Sequence, residues 1–330
     1  MATKERSQHI RFQDEEKLKL VNPETLKLWK KYQVDMSLRE LSEKTQEAYY
    51  SDLRQFWIYL LDNHDNISVT EVDEDTLTEF FYFCKSGGNN SRRMKRRMSS
   101  LSAFYKFLRK KRIISESPME FIDRPKKDND VVVQTYFTEE MVENIKTTLR
   151  KNFEDSQTIK QKHLALEYLV YSMFSLSTMA RVNAVSSIGW YQIDFEARTV
   201  ENVIEKEGYI VTLYFSPEVK DLLQELLDFR REHGIDDKGY VFISAYGVKK
   251  SKADPAVLCS WCKSIGEMID VPSLHPHDFR HSGANLLKNA GMPLEDISAL
   301  LQHKGTDVTV KHYLKVDKTK IQQNKDKFGI

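Results

Sequence analysis

Over most of its length this chain repeats apolar positions with a helical period. Met94, Met98, Leu101, Tyr105 and Leu108 recur at three- and four-residue steps, which puts them on one stripe of a helix that can pack on a core. A second helix is predicted on Tyr49, Leu53, Phe56, Trp57 and Leu60, and a third on Leu77, Phe80, Phe81 and Phe83. From residue 39 to 124 the pattern predicts four or five helices, a small all-helical domain. Residues 1–38 read as a charged N-terminal extension with a helix over Pro23 to Tyr32, where Pro23 suits a first turn and Leu26, Leu28 and Trp29 form an apolar side.

Residues 125–135 open on Pro125, stay polar and charged up to Val131, and read as an interdomain linker. The second domain, residues 136–330, opens with helical patterns over Met141 to Arg150 and His163 to Leu176, then changes period. Thr199 to Ile204 and Tyr209 to Phe215 are β-branched or aromatic runs, and together they predict a hairpin that turns at Lys206 to Gly208. Helices return over Glu218 to His233, Pro255 to Met268, His277 to Asn289 and Pro293 to Leu301, with Gly234 and Gly291 as stops. The expected fold class is mainly α with a small antiparallel sheet.

With 330 residues, 40% of them hydrophobic, and only 12 Gly and 8 Pro, the chain is neither disordered nor fibrous. Three cysteines cannot form a disulfide framework, which favours a reducing compartment, and a cytoplasmic location is expected. The first twenty residues lack an apolar signal core, and no run approaches the ~18 apolar residues of a membrane span, so no membrane partner is expected.

The net charge of +1 conceals segregation. From Ser86 to Ser115 there is no Asp or Glu, while Arg92, Arg93, Lys95, Arg96, Arg97, Lys106, Arg109, Lys110, Lys111 and Arg112 carry positive charge. With one stripe packed, these cations are expected to project from the rest of the helix, and Ser99, Ser100, Ser102 and Ala103 keep part of it slim enough for a phosphate backbone. A basic face can be merely solvated, but one without counter-charge favours a polyanion, because bound phosphates release counterions. Arg92, Arg93, Lys95, Arg96, Arg97, Lys106, Arg109 and Lys110 are the candidate DNA contacts.

Five of the nine histidines fall between His275 and His312. His277, His281 and His303 lack the acidic or cysteine partners of a metal site, and Cys259 and Cys262 have no second pair, so no metal is expected. No phosphate-cradling glycine motif is present, so no cofactor is expected either.

The run from His277 through Arg280 to Leu287, followed by Ile297 to His303 and then Tyr313, resembles the carboxy-terminal signature of the tyrosine recombinase, or phage integrase, family. Upstream, the segment Met179 to Ile188 around Arg181 resembles the family's first arginine box, and Lys206 lies in a hairpin turn where the family places a lysine. The helical region is similar to the family's SAM-like core-binding domain. The resemblance implies a helical core-binding domain followed by a mixed α/β catalytic domain, with Arg181, Lys206, His277, Arg280, His303 and Tyr313 as catalytic residues.

These residue types suit metal-free phosphodiester transfer. Two guanidiniums, Arg181 and Arg280, can stabilise the extra charge of a five-coordinate phosphorus through planar paired donors. The Tyr313 hydroxyl, with a reference pKa near ~10, needs cationic surroundings and a base to attack phosphorus, and His277 is the candidate base. The resemblance assigns Lys206 to protonate the departing 5′ oxygen and implies that the tail after Tyr313 docks on a neighbouring subunit, hence double-stranded DNA and self-association on it as partners. His303 would donate to a non-bridging oxygen.

Several positions depart from the family pattern. Met179-Ala180 stands where a glycine usually precedes the first arginine, and Ala184 stands where an Asp or Glu usually buttresses it. Gln302 replaces the glycine before the second histidine, and the interval from His303 to Tyr313 is one residue longer. Two functions therefore stand side by side: a recombinase that cuts and rejoins duplex DNA through a 3′-phosphotyrosyl intermediate, or a non-cleaving regulator, such as a phage repressor, that grips an operator with the same scaffold.

Overall fold

In the computed structural model, residues 15–125, 136–205, 208–244 and 251–302 are described. Contacts divide the chain into two compact units, residues 1–131 and 132–330. Helices dominate both.

The first unit comprises α1 (Glu15–Leu20), α2 (Pro23–Leu38), α3 (Glu43–Asn63), α4 (Glu74–Ser86) and α5 (Ser91–Lys110). The sequence starts most of these helices with side-chain caps: Asn22, Ser42, Asp73 and Asn90 each accept a bond from a backbone N–H of the first turn. Its core joins Leu28, Trp29, Tyr32 and Met36 of α2 to Phe56 and Trp57 of α3, Phe80 of α4 and Phe104 and Phe107 of α5. Tyr32 lies 5.3 Å from Phe104 and 5.0 Å from Phe107 between ring centroids.

This corrects two expectations. The helix predicted over Pro23 to Tyr32 continues to Leu38, and its apolar face is core, so the described part of residues 1–38 belongs to the helical unit rather than to a separate extension. Within residues 39–124 three helices form, not four or five. The further helices of this core come from the segment before residue 39, because its charged positions outnumber a narrow apolar stripe that only burial makes visible.

The second unit is built around α7 (Ile159–Thr178), which is preceded by α6 (Glu139–Asp155) and followed by α8 (Val182–Val185). From Ala165 to Ser175 every residue of α7 is buried, so neighbours cover this helix on all sides. Strands β1 (Ile193–Asp194), β2 (Thr199–Ile204) and β3 (Ile210–Tyr214) form an antiparallel sheet in that order, with Val200 opposite Leu213 and Ile204 opposite Ile210. The register shifts between Val200 and Val203, where Asn202 takes φ +55°, a bulge in β2. After α9 (Pro217–Glu232) come the short pair β4 (Ile243–Ser244) and β5 (Ser251–Lys252), then α10 (Pro255–Met268), α11 (Pro276–Asn289) and α12 (Leu294–Leu300). Cys259 and Cys262 are residues of α10, as their spacing in a helical pattern implied.

A buried polar network fixes α9 against α7. Arg230 donates to Glu167 at 2.7 Å, to His163 at 2.9 Å and to the Tyr240 carbonyl at 3.1 Å, and Glu167 also accepts the Ile243 N–H at 3.0 Å. Burial and the adjacent guanidinium push His163 down to about 3, so it stays a neutral acceptor.

Helix α11 approaches α7 closely enough that a Cβ on Gly283 would stand 2.3 Å from the Leu176 carbonyl oxygen and 2.8 Å from the Met179 Cγ. The backbone oxygen cannot swing aside, so only glycine fits without moving a helix. Gly283→Ala should lower the unfolding free energy by about 1–3 kcal/mol, read as a reduced urea midpoint; an unchanged midpoint would show that the two helices separate freely.

Candidate active site

Arg280 lies on α11, one turn before Gly283, with its side chain turned into the second unit and only 1% exposed. Its guanidinium donates from Nη1 to the Met179 carbonyl at 2.5 Å and from Nη2 to the Leu301 carbonyl at 2.6 Å. Both acceptors are helix C-caps: Met179 ends α7 and Leu301 ends α12. The last carbonyls of a helix have no intrahelical donor and carry partial negative charge, so they suit a buried cation. Arg280 therefore ties three helices together, and the two helix ends partly offset its charge.

The two glycine departures fall at these same caps. Met179 takes φ +53° and Gln302, the residue after the Leu301 cap, takes φ +54°. Both occupy the left-handed region that favours glycine, and their backbones adopt it with an L side chain. Met179 is buried with Ala284, Ile297 and Leu301 in a small cluster of its own, so its side chain contributes packing that a glycine lacks. Gln302 has no comparable burial.

Arg181 is the N-cap residue of α8 and remains 26% exposed at its side chain. Its Nη1 donates to Glu205 Oε2 at 2.6 Å, and its backbone N–H donates to Glu205 Oε1 at 3.4 Å. Glu205 follows β2 directly and its side chain is 2% exposed. The missing carboxylate expected from Ala184 is thus supplied from the hairpin. Spacing within the arginine box could not reveal it, because the partner is 24 residues away in sequence.

His277 begins α11 beside these arginines. Its imidazole is held below the usual histidine range, first by partial burial and then by the charges of His275, Arg280 and Arg181. His275 stacks on His277 with centroids 5.7 Å apart, and its backbone N–H donates to Asp278 at 2.8 Å in a capping box. Burial raises the Asp278 carboxyl to about 6 against that bond. His281 lies 6.3 Å from His277 and 6.4 Å from Tyr136 between ring centroids. Lys206, His303 and Tyr313 lie outside the described residues, as do residues 126–135 and the tail.

The basic helix of the first unit is α5, and its stripe of Met94, Met98, Leu101, Tyr105 and Leu108 is buried. Not every cation projects, however. Arg97 is 3% exposed, donates to Asn89 at 3.3 Å and lies over the Phe80 ring. It is a core residue, not a surface contact, because it lies within the buried arc of the helix between Met94 and Leu101. Arg96 pairs with buried Asp52 at 2.6 Å and Arg109 with Glu120 at 3.2 Å, so counter-charge arrives from other segments. Ser100 also turns inward and donates to Asp52 at 2.8 Å. The outward face carries Arg92, Lys95, Lys106 and Lys110 around Ser99 and Ala103, and Arg124 joins it by donating to Ser99.

Comparison with protein families matches residues 135–320 to the phage integrase family and residues 30–112 to the phage integrase N-terminal SAM-like domain. The tyrosine recombinase XerC of Pediococcus pentosaceus is 27% identical over 305 residues, covering 88% of this chain and 93% of the relative. The tyrosine recombinase XerC of Roseiflexus castenholzii is 26% identical over 275 residues, covering 82% and 83%. Among solved structures, the XerH site-specific recombinase bound to palindromic difH superposes with a TM-score of 0.68 at 17% identity, covering 87% of this chain and 80% of that one. The Tn1549 transposon integrase in complex with circular intermediate DNA gives 0.66 at 15% identity, with 90% and 98% covered. At such identity the structures bear on the fold, which they share with both units.

Two outcomes test this geometry. Gln302→Gly should raise stability by about 0.5–1 kcal/mol, relief of left-handed strain outweighing the entropy of an added glycine, and a melting temperature at or below that of the parent would contradict the strain. For His277, a lowered folded value means that the unfolded chain binds the proton first as pH falls. The stability of the neutral ring is present above the unfolded value near ~6.5 and is lost as pH falls from there through the folded value. Its imidazole resonance should titrate below ~6.5; a midpoint at or above that value would show that burial and the arginines do not act on the ring.

Proposed function

The chain belongs to the phage integrase family, and from that premise we propose that it is a site-specific tyrosine recombinase, cutting and rejoining duplex DNA through a 3′-phosphotyrosyl intermediate on Tyr313. The observation that carries this reading is the Arg181 guanidinium, held at an open edge by Glu205, in the same unit as His277 and the buried Arg280. In this reading Arg181 grips the scissile phosphate through its open side, and the buried Arg280 adds its positive charge from beneath to offset the charge that develops on phosphorus. His277, kept neutral, accepts the Tyr313 proton as the phenol attacks. Lys206 protonates the departing 5′ oxygen, and His303 donates to a non-bridging oxygen. The phosphotyrosyl bond retains the energy of the phosphodiester, so a second DNA end reverses the step without nucleotide or metal.

The departures from the family pattern do not speak for a binding-only protein as strongly as the sequence suggests. The carboxylate absent at Ala184 has a counterpart in Glu205, and the glycine positions keep their left-handed backbone. Incubation with a nicked suicide substrate should give a covalent protein–DNA adduct on a denaturing gel, and Tyr313→Phe should abolish it. Tight binding to the same site without adduct would favour the regulator.

The outward face of α5 is proposed as the DNA contact of the first unit, with Arg92, Lys95, Lys106 and Lys110 as its positive charges and Arg93, Arg96 and Arg109 beside them. The tail Leu314 to Ile330, with five lysines and the apolar Ile321 and Phe328, is proposed to join neighbouring subunits on DNA. In a gel-shift titration, Arg92→Ala with Lys106→Ala should weaken binding to all sequences and flatten its salt dependence by about two phosphates. In the same assay a chain ending at residue 313 should stop at the first shifted complex. Unchanged affinity would remove α5 from the interface, and unchanged higher complexes would remove the tail from assembly.

A further inference from the structure

We infer that Glu205 is a positioning residue for strand cleavage, which holds the Arg181 guanidinium toward the phosphate in place of the carboxylate absent at Ala184. The inference rests on the reading of Arg181 as a phosphate ligand. It concerns a residue that no motif of the sequence marks.

The first observation is geometric. One carboxylate accepts both the Arg181 backbone N–H, at 3.4 Å, and its Nη1, at 2.6 Å. One bond at the Arg181 backbone and one at its guanidinium fix both the root and the tip of that side chain. Glu205 itself is fixed at both backbone groups: its N–H donates to the Tyr209 carbonyl at 2.8 Å, and its carbonyl accepts the Gly208 N–H at 3.2 Å. The turn thereby holds the carboxylate, and the carboxylate holds the arginine.

The second observation is the contrast in exposure. The Glu205 side chain is 2% exposed, whereas that of Arg181 is 26% exposed. A carboxylate buried this far requires a cationic partner, because an unpaired charge there would cost several kcal/mol. Here the cation keeps an open side, and among the described residues its guanidinium has only Nη1 engaged, so the rest of the planar fork can meet an anion. A neighbouring carboxylate weakens the attraction of that fork for phosphate by partly offsetting its charge. The benefit is a fixed guanidinium, since a misplacement of ~1 Å can cost ~100-fold in rate.

The contrast with Arg280 supports the same conclusion. That guanidinium is locked by two carbonyls in the interior and has no rotamer freedom left. Arg181 stands at the N-cap of a four-residue helix and has no side-chain cap bond of its own, so Glu205 is what orients it.

The test compares Glu205→Ala and Glu205→Gln with the parent in single-turnover cleavage of a nicked suicide substrate, alongside DNA affinity and thermal melting. Glu205→Ala should slow cleavage about 100-fold while DNA affinity changes less than about threefold. Glu205→Gln, which keeps an acceptor oxygen but not the charge, should be slowed about tenfold; if the alanine variant fails to fold, the glutamine variant decides. Equal loss of rate and affinity, or parental rates in a folded variant, overturns the inference. In parallel, the Nη–H signals of Arg181 in 15N-labelled protein should exchange slowly with water in the parent and quickly in both variants. If the parent binds its DNA without forming an adduct, the cleavage reading fails and these signals decide for Glu205: protection lost in the variants supports it, and protection retained overturns it.

Discussion

A buried guanidinium held by two helix ends constrains the architecture of the second unit. Arg280 carries a full positive charge at 1% exposure, and the Met179 and Leu301 carbonyls accept from it at short distance. Removing a charge from water costs far more than a single neutral hydrogen bond returns, so both acceptors must be at short distance and must be the electronegative ends of helices. The ends of α7 and α12 and the beginning of α11 are therefore fixed relative to each other by one side chain. Gly283 permits the approach, since any Cβ there would strike the last turn of α7.

That constraint explains why the backbone is left-handed at Met179 and Gln302. The chain must reverse sharply after each cap so that the cap carbonyl can point at Arg280, and the left-handed region provides that reversal. Glycine is the least strained residue there, but it is not the only one that can adopt the conformation. Met179 recovers part of the strain by burying its side chain in the cluster with Ala284, Ile297 and Leu301. The same site thus tolerates sequence change at positions where conformation, not side-chain chemistry, is what the fold requires.

Much of the fold was legible because periodicity reports burial directly. The hairpin, the helices from residue 139 onward and the buried stripe of α5 follow from spacings of two, three and four residues. The segment before residue 39 was not legible as core, since its apolar residues are diluted by charge and its partners, Trp57, Phe104 and Phe107, lie tens of residues away. The cations of α5 were legible as a cluster but not as individuals: Arg97 shares the composition of its neighbours and differs only in the angle at which the helix presents it.

By itself the sequence determined which residue types could carry phosphate chemistry and in what order, because Arg181, His277 and Arg280 stand in recognisable local contexts. It also determined where helices and strands form, since hydrogen bonding and apolar spacing are local. Only the tertiary structure decided which carboxylate pairs with Arg181, which carbonyls hold Arg280 and which side of α5 meets solvent. Those outcomes depend on groups brought together across 24 and 101 positions, and contact at such separations is set by packing and desolvation, which no local spacing encodes.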